Sequence, residues 1–326
     1  MALCLETAGE RLSFDCSLPW VAELIAEGAA GELREADSRD APPSVTVQVE
    51  AERGPFDTLG WEPLARGSWR REREVVVENA GTAGFDLHLR SAPESSDFTY
   101  RWRPPLRDRA AAQVLRSRFH LLARAMLIQY PALWAAGTRG RGPLHASACL
   151  AGGATPLLTA PSGIGRSTLL LRELDAGATA TGDNLAVGDG ETLWGLVEPL
   201  RVEGGSGRRM AYGRNEAQMR NRAHALTPDS VIILRRDRSD QASLSTCSAE
   251  SAARSLVTST YMAGELRRYW PFAATLAAGT GVDPPHPPVA KIAAAFAASL
   301  PCLSLTLGRS GEVRLAELLG AQAVAA

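Results

Sequence analysis

The chain has 326 residues, 45% of them hydrophobic and 22% charged, with a net charge of −1 at pH 7. That length suits one large domain or two ordinary ones, with enough apolar material for a proper core. The near-neutral balance argues against a basic nucleic-acid binder, and no apolar run reaches the roughly 18 residues of a membrane span.

The opening MALCLETAGERLSFDCSLPW has acidic residues and no basic run ahead of an apolar block, unlike a signal peptide. Cys4, Cys16, Cys149, Cys247 and Cys302 are scattered and form no C-x-x-C. They read as buried thiols of a cytoplasmic protein, not as a disulfide framework or zinc site. His88, His120, His224 and His286 show no metal-ligand spacing. Lysine occurs once, at Lys291, among 35 basic residues, so an arginine here is weak evidence of a chosen chemistry.

In chain order, residues 1–105 read as a β-rich N-terminal domain. Residues 44–49, 74–78 and 85–89 alternate apolar and polar side chains, with Pro42, Pro43, Gly54, Pro55 and Gly81 to Gly84 as punctuation between them. A short helix fits 21–25. Trp61, Trp69, Tyr100 and Trp102 are spread out, as core or interface aromatics are. Residues 106–139 form a linking segment. Within it, Ala111, Val114, Leu115, Phe119, Leu122, Ala125 and Met126 recur at helical spacing, which predicts one amphipathic helix over 107–134. Its arginines are either a solvated face or a surface for an acidic partner.

Residues 140–326 change to an α/β pattern. Strands are expected at 144–150, 156–159, 178–181, 230–234 and 303–307, and a hairpin at 185–187 and 192–197. Helices are expected at 167–174, 249–256 with Ser248 as cap, 289–300 and 313–319.

Chemistry concentrates in 157–171, LLTAPSGIGRSTLLL, where an apolar strand enters a small-residue loop and then a helix. A phosphate-binding loop needs that setting, because loop amides and the helix N-terminus converge on phosphate oxygens. Gly163 and Gly165 allow the tight curl, and Ser167 stands where a hydroxyl holds Mg²⁺. Against the pattern G-x-x-x-x-G-K-[ST], Ala160 replaces the first glycine and Arg166 replaces the lysine.

The longer stretch LHASACLAGGATPLLTAPSGIGRSTLLLRELDAGATATGDNLAV resembles the HPr kinase/phosphorylase family and its related small kinases. Their order of a histidine-bearing strand, a hairpin, a phosphate loop S-G-x-G-K-[ST], a helix and a strand ending in acidic residues matches His145, Gly152-Gly153, Ser162 to Ser167, the helix to Leu174, and Asp183. The resemblance implies a P-loop kinase-like core over 140–326, with ATP or another nucleoside triphosphate and Mg²⁺ as cofactors. It implies nucleotide contacts at Ser162, Gly163, Ile164, Gly165, Arg166, Ser167 and Thr168. It also implies catalytic roles for Asp183, as the base, and for His145, with Ser167, Asn184 and Glu203 towards the metal. Glu198 competes with Glu203 for that last place. Asn184 stands where a second aspartate is common, and the family's glycine-rich signature is missing from EGGSGRRM, which removes support for an HPr substrate.

The function expected on this basis is phosphoryl transfer to a hydroxyl, a serine, of a small protein or peptide, as in bacterial peptide natural-product pathways. The alternative is a nucleotide- or peptide-binding adaptor without turnover, because a planar guanidinium is not a conservative replacement for the loop lysine. Arg208, Arg209, Arg214, Arg220 and Arg222 either grip an anion or form a solvated loop. No nucleic-acid or membrane partner is expected, and a homo-oligomer is compatible with the sequence.

Overall fold

The computed structural model describes residues 3–325 except 38, 40, 93, 204–206, 211, 212, 240, 283–285 and 309–312. The fold is mixed α/β with several sheets, and it divides into two compact units. One unit comprises 1–139, 197–218 and 268–286; the other comprises 140–196, 219–267 and 287–326. Among the described residues, no helix is long and apolar enough to cross a membrane.

The chain begins with β1 (Leu3–Thr7), β2 (Glu10–Cys16), α1 (Pro19–Gly28), β3 (Arg34–Glu35), β4 (Val45–Glu50), β5 (Glu62–Ala65), β6 (Ser68–Arg71), β7 (Glu74–Val77), β8 (Phe85–Ser91) and β9 (Ser96–Trp102). Helices α2 (Leu106–Val114), α3 (Arg116–Arg124) and α4 (Tyr130–Thr138) follow. Then come β10 (Gly142–Leu144), β11 (Ala146–Leu150), β12 (Pro156–Thr159), α5 (Arg166–Asp175), β13 (Thr179–Ala180), β14 (Ala186–Gly188), β15 (Leu193–Gly195), β16 (Leu200–Glu203), β17 (Arg214–Ala217), β18 (Ala225–Leu226), β19 (Ser230–Arg236) and β20 (Ser243–Thr246). Helices α6 (Ala249–Met262), α7 (Tyr269–Thr280) and α8 (Val289–Ser299), strand β21 (Cys302–Leu307) and helix α9 (Leu315–Ala325) complete the chain.

In the first unit, β1 to β9 make one sheet in the order β3-β1-β2-β4-β9-β8-β7-β6-β5. The alternation in the sequence is the alternation of burial: Val45, Val47 and Val49 on β4 and Leu87 and Leu89 on β8 are wholly buried. Helix α4 lies against β2 and β4, and α7 against β5, β6 and β7. Of the four scattered aromatics, Trp61 and Tyr100 are buried and Trp69 and Trp102 half-buried. Trp102 packs against Trp20, Phe85 and Phe119.

The single helix expected over 107–134 is broken once, at Leu115, and from Arg116 it runs on to Thr138. Leu115 leaves helical geometry (φ −110°, ψ 54°), and a π-helical turn at Ala125–Gln129 precedes α4. Pro131 accounts for the π turn: it has no N–H for the preceding turn, and a wider turn absorbs the loss. The Tyr100 hydroxyl donates to the Met126 carbonyl at 2.8 Å and pins that turn to β9.

In the second unit, a six-stranded sheet runs β13-β11-β12-β19-β21-β20 and a four-stranded one β10-β14-β15-β18. Strands β12, β19 and β21 run parallel to one another, while β11 and β20 pair antiparallel with β12 and β21. Val231 to Leu234 on β19 are all buried, as a strand covered on both faces must be. Helix α6 packs on β12, β19 and β21, and α5 on β13. Ser248 caps α6 by accepting from the Ser251 amide at 3.2 Å, and that helix continues to Met262, well past the expected end at 256. The last helix starts at Leu315, where the buried Glu173 carboxylate accepts from its amide at 2.6 Å. All five cysteines are free, and Cys16 and Cys247 are half-buried, contrary to the uniformly buried set expected. Burial raises the Cys149 thiol to about 12, which keeps it in the inert protonated form.

Candidate functional site

His145 is the one residue between β10 and β11, where the chain leaves the four-stranded sheet and enters the six-stranded one. Residues 181–185 make the reverse passage between β13 and β14. Asp183 and Asn184 therefore sit at the same sheet junction as His145. The junction is close-packed: a Cβ on Gly195 would lie 1.8 Å from the Thr181 carbonyl oxygen, so only glycine lets β15 pass. The Ser147 hydroxyl donates to the Gly182 carbonyl and ties β11 to this segment.

Strand β12 ends at Thr159, the loop spans 160–165, and α5 begins at Arg166. Gly163 and Gly165 take φ of +86° and +118°, conformations that L side chains rarely adopt. Gly165 is the N-cap of α5 and offers no side chain to the first-turn amides, leaving them open to an external acceptor. Ser162 and Thr168 are exposed, and Ile164 and Ser167 are half-buried.

Arg166 does not share that exposure; it is 6% accessible. Its Nη1 donates to the His145 carbonyl at 2.7 Å, its Nη2 to the Asn184 carbonyl at 3.2 Å, and Nη2 also lies 2.9 Å from His145 Nε2. The guanidinium thus spans the sheet junction. His145 Nε2 also stands 3.0 Å from Asn184 Oδ1. That nitrogen carries either a lone pair for Arg166 or a proton for Asn184, never both, so the tautomer selects the partner. Burial and then the Arg166 charge lower the imidazole to about 4, against the opposing pull of Glu265, Asn184 and the Ala160 carbonyl. His145 is therefore neutral at pH 7.

The sequence resemblance sets His145 beside Asp183; the polar contact formed is with Asn184 instead. Asp183 is buried, and its Oδ1 has no hydrogen-bond partner. Glu203 lies on β16 and Glu198 just before it, both in the first unit. The Glu203 side chain lies outside the described residues. Glu198 is 6% accessible and pairs with Arg201 at 3.6 Å. Among the described residues, no three His, Cys, Asp or Glu side chains gather as a metal site. The arginine run also separates: Arg208, Arg209 and Arg214 belong to the first unit, Arg220 and Arg222 to the second. Arg208 pairs with Glu27, and that carboxylate also binds the buried Arg124, as does Glu216.

Helix α6 supplies residues that the sequence did not single out. Thr260 Oγ1 accepts from the His145 amide at 3.0 Å, and Ser259 Oγ lies 2.8 Å from Thr159 Oγ1 at the end of β12. Glu265, just beyond the helix, acts on His145 by charge. The signal available was a pair of small polar residues, Ser259 and Thr260, at the positions three and four after Leu256, on the face that packs inwards.

The chain matches no protein-family model, and no curated protein proves similar to it in sequence.

Proposed function

We propose that the second unit binds the phosphates of a nucleoside triphosphate at residues 160–168 and transfers the terminal phosphoryl group to a hydroxyl of a peptide or small protein. The observation that carries this reading is the passage from β12 to α5, with both loop glycines at positive φ and an uncapped helix N-terminus behind them. Phosphoryl transfer asks chiefly for positioning and charge neutralisation, and amides aimed at one point supply part of both.

Asp183 suits the base. A buried carboxylate oxygen without a partner has a lone pair ready for the proton of an incoming hydroxyl. Mg²⁺ prefers oxygen donors and keeps several waters, so the Ser167 hydroxyl and a carboxylate oxygen of Asp183 are fitting ligands, with phosphate completing the set. The ion supplies charge neutralisation between phosphate groups. Asn184 offers an amide oxygen, which accepts from His145 Nε2 only in the tautomer that protonates that nitrogen.

A second reading is favoured by Arg166. The only basic side chain of the loop is turned into the fold, where the His145 and Asn184 carbonyls accept from it. A loop that relies on backbone amides alone binds phosphate without the cation that usually follows the charge into the transition state. The protein would then be a nucleotide-binding adaptor.

Titrating the purified full chain with Mg-ATP and following phosphate release separates these readings. Binding with slow hydrolysis that depends on Asp183 supports the transferase. Binding with no release, and no labelling of any candidate peptide, supports the adaptor. Absence of binding to ATP and GTP at millimolar concentration would remove both.

A further inference from the structure

A groove in the first unit lies far along the chain from the phosphate loop. Its walls are one face of α2–α3, with Ala111, Leu115, Phe119 and Leu122, and the turn at Thr82-Ala83. Arg118 and Arg268 line it together, and the cavity measures about 160 Å³, room for an apolar side chain.

Three observations make this more than a solvated helix face. First, α2 buries none of its nine residues, although Leu106 and Val114 are 82% and 80% exposed and Leu115, at the break before α3, is 47% exposed. Of these, Leu115 lines the groove, beside Phe119 and Leu122, and gives it an open apolar wall. Second, the charge in the groove is uncompensated. Arg268 uses its Nε on Thr82 Oγ1 at 3.0 Å, and among the described residues Arg118 makes no ion pair. The one acid in the groove, Asp108, is engaged by Asn79 Nδ2 at 2.8 Å and by Arg107 at 3.3 Å. Third, the same helical segment carries Arg109 and Arg116, both exposed and without ion pairs among the described residues, which adds to its positive field.

We infer that this groove is the docking site of a peptide segment that carries a carboxylate beside a bulky apolar side chain. The apolar side chain enters between Leu115, Phe119 and Leu122, and the carboxylate meets the guanidinium groups of Arg118 and Arg268. A guanidinium fork binds a carboxylate through two parallel hydrogen bonds, which gives the site direction as well as charge. An anionic lipid surface offers the same charge, but it is flat. A concave pocket for one side chain, with Asp108 on its wall, favours a peptide.

The test uses the full chain and a short fluorescent peptide alternating glutamate and leucine, followed by anisotropy. A second peptide has lysine for each glutamate, and phosphatidylglycerol vesicles serve as the third probe. The glutamate peptide should bind, raised salt should weaken it, and the lysine peptide should not bind. Arg118→Ala, at an exposed position, should keep the wild-type melting temperature and weaken binding by about tenfold. Arg268→Ala should do the same; if it unfolds through loss of the Thr82 bond, Arg118→Ala decides alone. No binding of the glutamate peptide, equal binding of both peptides, or unchanged affinity in Arg118→Ala would overturn the inference. So would sedimentation with vesicles in the absence of peptide binding. None of these outcomes depends on nucleotide.

Discussion

The guanidinium of Arg166 donates through Nη1 to the His145 backbone carbonyl at 2.7 Å and sets Nη2 2.9 Å from Nε2 of the same residue's ring. The first residue of a helix is thereby tied to the point where a strand changes sheets. A lysine has one compact ammonium and could not reach the His145 carbonyl, the imidazole and the Asn184 carbonyl from one place. The arginine at this position is a structural tie between α5 and the sheet junction.

Arg166→Lys should therefore separate the two roles. Leaving buried acceptors short of a donor costs about 1–3 kcal/mol, which urea unfolding would read as a lower midpoint. The freed ammonium should at the same time raise affinity for Mg-ATP, and phosphate release if the protein is a transferase. Unchanged stability would mean that the three bonds contribute little to the fold. A stability loss with no gain in affinity or turnover would favour the adaptor.

Acid should unfold the second unit partly through His145. Its folded pKa of about 4 lies below the ordinary 6.5, so the unfolded chain holds the extra proton between those values. Stability rises with pH across that window and is lost as pH falls from about 6.5 towards 4. Burial also lowers His88 and His120, which lie in the first unit and give that unit a slope of the same sign. The measurement is thus the difference between wild type and His145→Gln in melting temperature against pH. A shallower slope in the variant between pH 4 and 6.5 is expected; parallel curves would show that His145 does not carry the effect.

How much of this was legible in sequence varies with the physical source of each feature. Alternating valines announced β4, and the uniform run 230–234 announced β19, because burial on one face or two leaves a direct imprint on residue type. The strand–loop–helix around Gly163 and Gly165 was legible for the same reason: those φ values strongly favour glycine. The break at Leu115 was not, since nothing in the local pattern opposes a continuous helix there. Pro131 could have signalled the π turn. The inward turn of Arg166 was invisible, because it depends on acceptors from residues 145 and 184 that only the tertiary fold assembles. So was the division that takes 197–218 and 268–286 into the first unit, a long-range matter without local signature.

Gly163 offers the cleanest probe of the loop. A Cβ there meets no atom within 4 Å, whereas one on Gly165 falls 3.3 Å from Leu307 Cδ1 at a φ of +118°. Gly163→Ala should cost only the roughly 1–2 kcal/mol of a left-handed residue and leave the fold intact. Its methyl would stand at the mouth of the loop, so Mg-ATP affinity should fall by about tenfold. Full affinity in a folded Gly163→Ala protein would place the phosphates elsewhere.

Asp183→Asn tests the chemistry. The carboxylate is buried, and Oδ1 has no partner, an arrangement that costs stability. An amide of the same shape removes the charge, so the melting temperature should hold or rise. Nucleotide affinity should stay close to wild type, since the phosphate grip comes from the loop amides. Transfer should fall by roughly 10²–10⁴-fold, the usual contribution of a positioned base. If Asp183 also binds the metal, the Mg²⁺ concentration needed for half-maximal rate should rise along with the loss. Background ATP hydrolysis is the first readout, because it needs no peptide. Equal hydrolysis in wild type and variant at saturating Mg-ATP, with contaminating activity excluded, would leave Asp183 as a residue of the sheet junction. A lower melting temperature would point the same way, because a carboxylate held for the fold alone should stabilise it.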